Sequence, residues 1–87
     1  MEVRELVATN IRRLRVKRGI SQDDLALNAG VERAYVGHLE RATRNPTIET
    51  LSKIAKAMDV HIRELFLEPR DGDKPPATLK AGRKKSR

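Results

Sequence analysis

The chain has 87 residues and a net charge of +7, from 19 Lys and Arg against 12 Asp and Glu. It contains no cysteine, which excludes disulfides and thiolate metal sites, and its aromatic content of 2% is too low for the stacking surfaces of single-strand binders. The basic balance favours an anionic partner such as nucleic acid or an acidic membrane surface. A basic tail that only aids solubility would give the same total.

The first half of the chain predicts three helices. Apolar residues at helical spacing indicate an amphipathic first helix over residues 2–18. Its inward stripe is predicted to comprise Val3, Val7, Ile11 and Leu14. Ser21 is the expected N-cap of a second helix, which ends at Gly30 because glycine readily adopts the left-handed conformation there. A third helix over residues 33–41 has few apolar residues, so most of its surface should face outward.

Two more helices are predicted after a loop that ends at Pro46. Thr47 is the expected cap of the fourth helix. The inward residues of this helix are predicted to be Ile48, Leu51, Ile54, Ala55 and Met58. A short fifth helix, residues 63–67, is expected to pack Leu65 and Phe66 into the core.

The C-terminal part of the chain differs from the rest in composition. Residues 71–87 hold six basic and two acidic side chains, and therefore carry more than half of the net charge. With paired prolines and no apolar face, residues 70–87 are expected to be a disordered basic tail after one folded domain over residues 1–69. No stretch is apolar enough for a secretory signal or a membrane span, so we expect a cytoplasmic protein with no membrane partner.

The second and third helices, joined by a tight turn that contains glycine, form a helix-turn-helix arrangement. Small residues, Ala26 and Ala29, allow the two helices to approach closely. The residues left outward on the third helix are Arg33, Ala34, Gly37, His38 and Arg41.

A longer pattern surrounds this motif and stays in register over residues 6–67. It comprises Ile11-Arg12-x-Leu14-Arg15, Gly19-Ile20-Ser21-Gln22, Leu25-Ala26, Gly30-Val31, Leu39-Glu40-Arg41, Arg44-Asn45-Pro46-Thr47, Leu51-x-x-Ile54-Ala55 and Glu64-Leu65-Phe66. With these residues the sequence resembles the phage-repressor and Cro type of helix-turn-helix transcriptional regulator, also called the xenobiotic-response-element family. More weakly, it resembles the restriction–modification controller branch.

The resemblance implies an all-α, compact five-helix, lambda-repressor-like DNA-binding domain, with its motif at about residues 22–41 and its family core at about residues 11–65. It implies a bacterial or phage transcriptional regulator associated with the nucleoid. The sequence shows no Gly-rich phosphate loop, catalytic carboxylate pair or Ser/Cys–His arrangement, so we expect no enzyme activity and no cofactor or metal.

In the docking expected for this motif, the N-terminal part of the third helix enters the major groove of double-stranded DNA. Arg33 carries a guanidinium that can read guanine bidentately, and Ala34 can contact only an apolar group such as a thymine methyl. His38, one turn further along, is expected to donate to a guanine or a phosphate. These three residues are the predicted base contacts.

Further residues are expected around the reading helix. The predicted phosphate contacts are Gln22, Tyr35, Arg41, Thr43, Arg44 and Asn45, of which Gln22 matches the family position that contacts phosphate. The resemblance also implies a structural salt bridge between Arg15 and Glu40, joining the first and third helices.

A single small module reads few base pairs, so a homodimer on a palindromic operator is expected. The candidate residues for its interface are Val60, Ile62, Phe66 and Leu67. Without a ligand domain, the protein would act as a repressor and autoregulator that responds to its own concentration, with no small-molecule effector. The alternative is an antitoxin that binds a protein partner and represses its own operon.

Three residues depart from the family pattern. Glu32 stands at the cap of the reading helix, where Ser, Thr or Asp is usual and Glu caps less well. Gly37 lies in mid-helix on a face expected to be exposed, and close approach of the backbone to DNA would account for it. Ala42 replaces a glycine, and in a left-handed conformation it carries a penalty of about 1 kcal/mol.

Overall fold

The computed structural model describes residues 1–69, and the predicted tail, residues 70–87, lies outside them. Four α-helices and a 3₁₀-helix make up the described part, with no strand among these residues. In chain order they are α1 (Val3–Lys17), α2 (Gln22–Ala29), α3 (Arg33–Glu40), α4 (Ile48–Ala57) and the 3₁₀-helix (Ile62–Phe66). The all-α prediction is confirmed.

The short fifth helix predicted over residues 63–67 is a 3₁₀-helix at Ile62–Phe66, so the described residues form four α-helices and the count of five is not confirmed. Its residues form five positions of 3₁₀-helix, with the Glu64 backbone N–H donating to the His61 carbonyl at 2.9 Å. A segment this short can close few i→i+4 bonds, and the tighter i→i+3 pattern is usual in short connecting pieces. Pro69 follows shortly afterwards and limits any extension.

Helix boundaries follow local capping chemistry. The Ser21 hydroxyl accepts from the Asp24 backbone N–H at 2.9 Å, and the Thr47 hydroxyl accepts from the Thr50 N–H at 3.0 Å. Gly30 ends α2 with φ +74°, a left-handed conformation that glycine adopts without a steric penalty. Each of these three residues lies within one turn of the helix end that it defines, so all three helix ends can be predicted from the local sequence.

One hydrophobic core joins all five elements. A fully buried side chain comes from each of them: Ile11, Leu25, Val36, Ile54 and Leu65. This shared core fixes α2 and α3 against the other helices. No helix in the described part of the chain is long and apolar enough to cross a membrane.

Three residues predicted to face inward lie on the surface instead. Val3 is 55% exposed, Ile48 is 77% exposed and Phe66 is 42% exposed. Each stands at the end of its element, the first residue of α1, the first of α4 and the last of the 3₁₀-helix. Periodicity gave the correct face of the helix, but the core does not extend as far as these ends. Together they line one open groove of about 270 Å³.

A buried polar side chain closes the fold. Asn10 is 3% exposed, and its Nδ2 donates to the carbonyls of Leu65 and Leu67, each at 2.9 Å. Its Oδ1 accepts from the Arg13 guanidinium at 3.0 Å. Asn10 therefore ties α1 to the end of the 3₁₀-helix, a role that the sequence analysis did not assign.

Candidate nucleic-acid interface

The orientation of α3 depends on Glu40, its last residue, whose side chain is 4% exposed. Arg15 of α1 donates to both carboxylate oxygens, through Nε to Oε2 and through Nη2 to Oε1 at 3.0 Å. Arg12 adds a bond from Nη2 to the Glu40 backbone carbonyl at 2.7 Å. Because an unpaired buried charge is strongly unfavourable, these bonds hold the end of α3 against α1.

Gln22 joins the same group from α2. Its Nε2 donates to Glu40 Oε1 at 3.0 Å, and the side chain is half-buried. This bond uses one of the two N–H groups of the amide, so a second donor remains for the phosphate contact predicted for this residue. Glu40 is thus the point at which α1, α2 and α3 are tied together.

The first turn of α3 presents the predicted base-reading residues. Arg33 is the first residue of the helix, and its side chain is 55% exposed. Its Nε lies 3.3 Å from Oδ1 of Asp23, in the first turn of α2. Ala34 follows and is exposed. Asp23 was not among the predicted site residues, because no local sequence pattern connects residues ten positions apart on different helices.

Gly37 is buried, contrary to the expectation of an exposed mid-helix glycine. A Cβ placed on it would lie 3.2 Å from Arg41 Nη1 and 3.5 Å from Arg33 Nη1. The two arginines lie one turn to either side, and their guanidinium groups cover the glycine backbone. The absence of a side chain therefore lets the Arg41 guanidinium lie a few tenths of an ångström closer to the helix than a Cβ would allow, with Arg33 on the other side.

The C-terminal turn of α3 adds a third polar side chain. His38 Nδ1 lies 3.3 Å from Arg41 Nη2 and 3.1 Å from Thr43 Oγ1. Which atom donates in these two contacts depends on the tautomer of the His38 ring, and both contacts use Nδ1 and not Nε2. Thr43 also donates from Oγ1 to the His38 carbonyl at 3.1 Å.

Both ends of α3 show departures from ideal helix chemistry. Glu32 is the N-cap, and its side chain makes no capping hydrogen bond. At the other end Ala42 has φ +60°, the left-handed conformation considered from the sequence. The Thr43 N–H then reaches the His38 carbonyl at 3.0 Å, which is the outer bond of a Schellman motif.

The remaining predicted phosphate contacts lie apart from this cluster. Arg44 and Asn45 are exposed in the loop before α4, where they line the groove of Val3, Ile48 and Phe66. Tyr35 is partly buried and packs against the hydrophobic core. The structure therefore brings Arg33 and Arg41 together over Gly37, joins His38 and Thr43 to Arg41, and places Arg44 and Asn45 on a neighbouring edge.

The predicted dimer residues divide into two groups. Phe66 and Leu67 are 42% and 44% exposed. Val60 and Ile62 are partly buried and pack against the core, which leaves them less surface for a partner. No group of three or more potential metal-ligating side chains occurs within residues 1–69.

Comparison with known proteins gives matches over most of the chain. Residues 11–65 match the helix-turn-helix family model. The sequence is 40% identical over 65 residues to the uncharacterized HTH-type transcriptional regulator y4dJ of Sinorhizobium fredii, covering 75% of this chain and 84% of that protein. It is 38% identical over 66 residues to the control protein C.SmaI of Serratia marcescens, covering 76% and 79% respectively.

A solved structure gives the same result for the fold. The restriction-modification controller protein C.AhdI from Aeromonas hydrophila superposes with a TM-score of 0.71 at 40% identity. The match covers 72% of this chain and 96% of that one.

Proposed function

Since the chain belongs to the helix-turn-helix family of DNA-binding transcriptional regulators, we propose that it binds a specific double-stranded operator through α2 and α3 and represses transcription, including that of its own gene. The family is one of regulators rather than enzymes. The relatives include control proteins of restriction–modification systems, which favours this role over the antitoxin alternative.

The observation that carries the proposal is the cluster of cations on the outer side of α3. The inner side of this helix is anchored by Val36, Leu39 and Glu40, all buried. Its outer side holds Arg33 and Arg41, whose guanidinium groups meet over Gly37. An exposed helix of this kind fits the major groove, and its cations match the phosphates along the groove edges.

Base readout follows from the first turn of α3. Arg33 offers a planar fork of N–H donors that matches O6 and N7 of guanine. Ala34 offers a methyl group to a thymine, and His38 offers its Nε2, which takes no part in the contacts with Arg41 and Thr43. These three residues are the proposed determinants of the operator sequence.

Phosphate contacts would position the domain on the duplex without reading its sequence. Arg41 and Thr43 flank the reading helix, and Arg44 and Asn45 extend the contact along the loop. Gln22 would contribute its second amide N–H from the start of α2. For Tyr35, whose side chain packs against the core, the proposed contact is limited to the hydroxyl group.

We further propose that the protein reads a palindrome as a homodimer. One module of this size buries about 600–1,000 Å² on DNA, which suits only a few base pairs, whereas two modules about 34–36 Å apart read two half-sites. The exposed Phe66 and Leu67 supply apolar surface for the contact, and Ile48 lines the same groove as Phe66. Val60 and Ile62 would add their exposed edges. Occupancy would then respond to protein concentration, with no small-molecule effector.

Selection of binding sites from random duplex DNA tests this proposal. We expect an enriched palindromic sequence whose half-sites lie about one helical turn apart. Recovery of no preferred sequence would contradict the proposal. Purification of the chain from its native host with a tightly bound small protein, and no operator preference, would instead support the antitoxin role.

A further inference from the structure

We infer that Asp23 is a positioning residue that determines how Arg33 reads its base, an inference that rests on the proposed function. Asp23 lies in the first turn of α2 and Arg33 is the first residue of α3. The carboxylate oxygen Oδ1 lies 3.3 Å from the Arg33 Nε. The contact therefore spans the two helices of the motif, and it approaches the guanidinium at Nε.

The choice of nitrogen matters because a guanidinium can meet guanine in two ways. It can present the Nη1 and Nη2 pair end-on, or the Nε and Nη2 pair side-on, and either pair matches two acceptors on one base edge. Asp23 lies beside Nε and competes with a base for this donor, which favours the end-on pair of Arg33. The ion pair thereby favours one reading geometry over the other.

A neighbouring cation makes this restraint more important. Nη1 of Arg33 and Nη1 of Arg41 both lie within 3.5 Å of the position that a Cβ on Gly37 would occupy. Two like charges this close repel each other, and the repulsion would drive the flexible Arg33 side chain away from the helix. The carboxylate of Asp23 supplies the opposite charge that holds it in place.

Simple electrostatics predicts a different effect for this residue. Asp23 is 79% exposed at an edge proposed to face DNA, so its negative charge repels phosphates. Removing that charge should strengthen binding to every duplex, whatever its sequence. Removing a positioning contact should instead weaken the preference for the operator over other sequences. The two roles are separated by the ratio of operator affinity to non-specific affinity.

Asp24 provides a matched control. It is the next residue of the same helical turn, carries the same charge and is exposed. Its carboxylate makes no ion pair in the part of the chain that the structure describes. The Ser21 cap engages the backbone N–H of Asp24, so a change of its side chain leaves the cap intact.

The test compares Asp23→Ala with Asp24→Ala in the full chain, on the operator obtained by site selection and on a random duplex of equal length. Both variants should bind the random duplex more tightly, by a similar factor. Asp23→Ala should lower the operator-to-random affinity ratio by roughly three- to five-fold, the scale of an exposed ion pair, while Asp24→Ala should leave the ratio at the wild-type value.

A second comparison assigns the effect to Arg33. In an Arg33→Ala background, Asp23→Ala should no longer change the affinity ratio, because the side chain it positions is gone. Equal ratios for the two aspartate variants, or an unchanged effect of Asp23→Ala without Arg33, would overturn the inference. A wild-type chain with no preference for the operator would contradict the proposed function itself. A wild-type preference that Asp23→Ala leaves unchanged would contradict only the role of Asp23.

Discussion

Arg15 of α1 donates to both carboxylate oxygens of Glu40, the last residue of α3, in the interior of the domain. Gln22 of α2 donates to the same carboxylate at 3.0 Å. One buried acidic group therefore fixes the three N-terminal helices relative to one another. The orientation of α3 relative to α1 and α2 therefore depends on the Glu40 carboxylate.

Replacement of Arg15 by leucine tests how much the Arg15–Glu40 pair stabilises the fold. The Arg15 side chain is 12% exposed and that of Glu40 4%, so the substitution leaves a buried carboxylate without its main partner. We expect the free energy of unfolding to fall by about 3–5 kcal/mol in urea titrations. Arg4→Ala is the control, because the Arg4–Glu2 pair is half-exposed and should be worth less than about 1 kcal/mol. Similar losses in the two variants would contradict this role.

Ala42→Gly should stabilise the protein. Ala42 has φ +60°, and a Cβ in this conformation is penalised by about 1–2 kcal/mol, part of which the greater freedom of glycine in the unfolded chain offsets. We expect a net gain of about 0.5–1 kcal/mol in thermal or urea unfolding. Gly30→Ala makes the reverse change at φ +74° and should destabilise by a similar amount. A loss of stability in Ala42→Gly would refute this interpretation of the turn.

Gly37→Ala should separate stability from DNA binding. Alanine favours helix over glycine by about 0.5–1 kcal/mol, and the new Cβ would meet only the flexible ends of Arg33 and Arg41. Unfolding experiments should therefore show a more stable domain. Operator affinity should fall modestly, because the Arg41 guanidinium must shift by a few tenths of an ångström, whereas Arg33 would be in ordinary van der Waals contact with the new Cβ. A variant that binds DNA as tightly as the wild type would show that their positions over Gly37 are unimportant.

Asn10→Ala should loosen the C-terminal end of the domain. The substitution removes the donors to the Leu65 and Leu67 carbonyls, and a buried acceptor left unpaired costs about 1–3 kcal/mol. Hydrogen exchange of backbone amides in the 3₁₀-helix should accelerate more than exchange in α2. Uniform acceleration across the domain would indicate a general loss of packing instead of a local clamp.

The sequence predicted those features that depend on neighbouring residues. The caps at Ser21 and Thr47 and the left-handed Gly30 each lie within one turn of the helix end that they define, so their chemistry could be predicted. Periodicity also gave the buried face of each helix. It could not show where the core ends along a helix, which is why Ile48 and Phe66 were wrongly placed inside.

The interactions that organise the candidate site were less accessible to sequence reasoning. Asp23 contacts Arg33 only after α2 and α3 have packed together. Asn10 donates to the carbonyl of Leu65, which lies 55 residues further along the chain. Gly37 was predicted to be exposed, but the side chains of Arg33 and Arg41 bury it. Arginine side chains normally extend into solvent, so the sequence pattern did not indicate this burial. Each of these contacts depends on tertiary geometry, which no local pattern encodes.

The most direct test of the account is the effect of Arg33→Ala on base preference. Wild type and variant should be titrated with the selected operator and with duplexes carrying each single base-pair change. We predict that Arg33→Ala weakens operator binding by about 1–3 kcal/mol and removes discrimination at one base-pair position in each half-site. Unchanged discrimination at every position in the variant would contradict the claim that α3 reads DNA through Arg33.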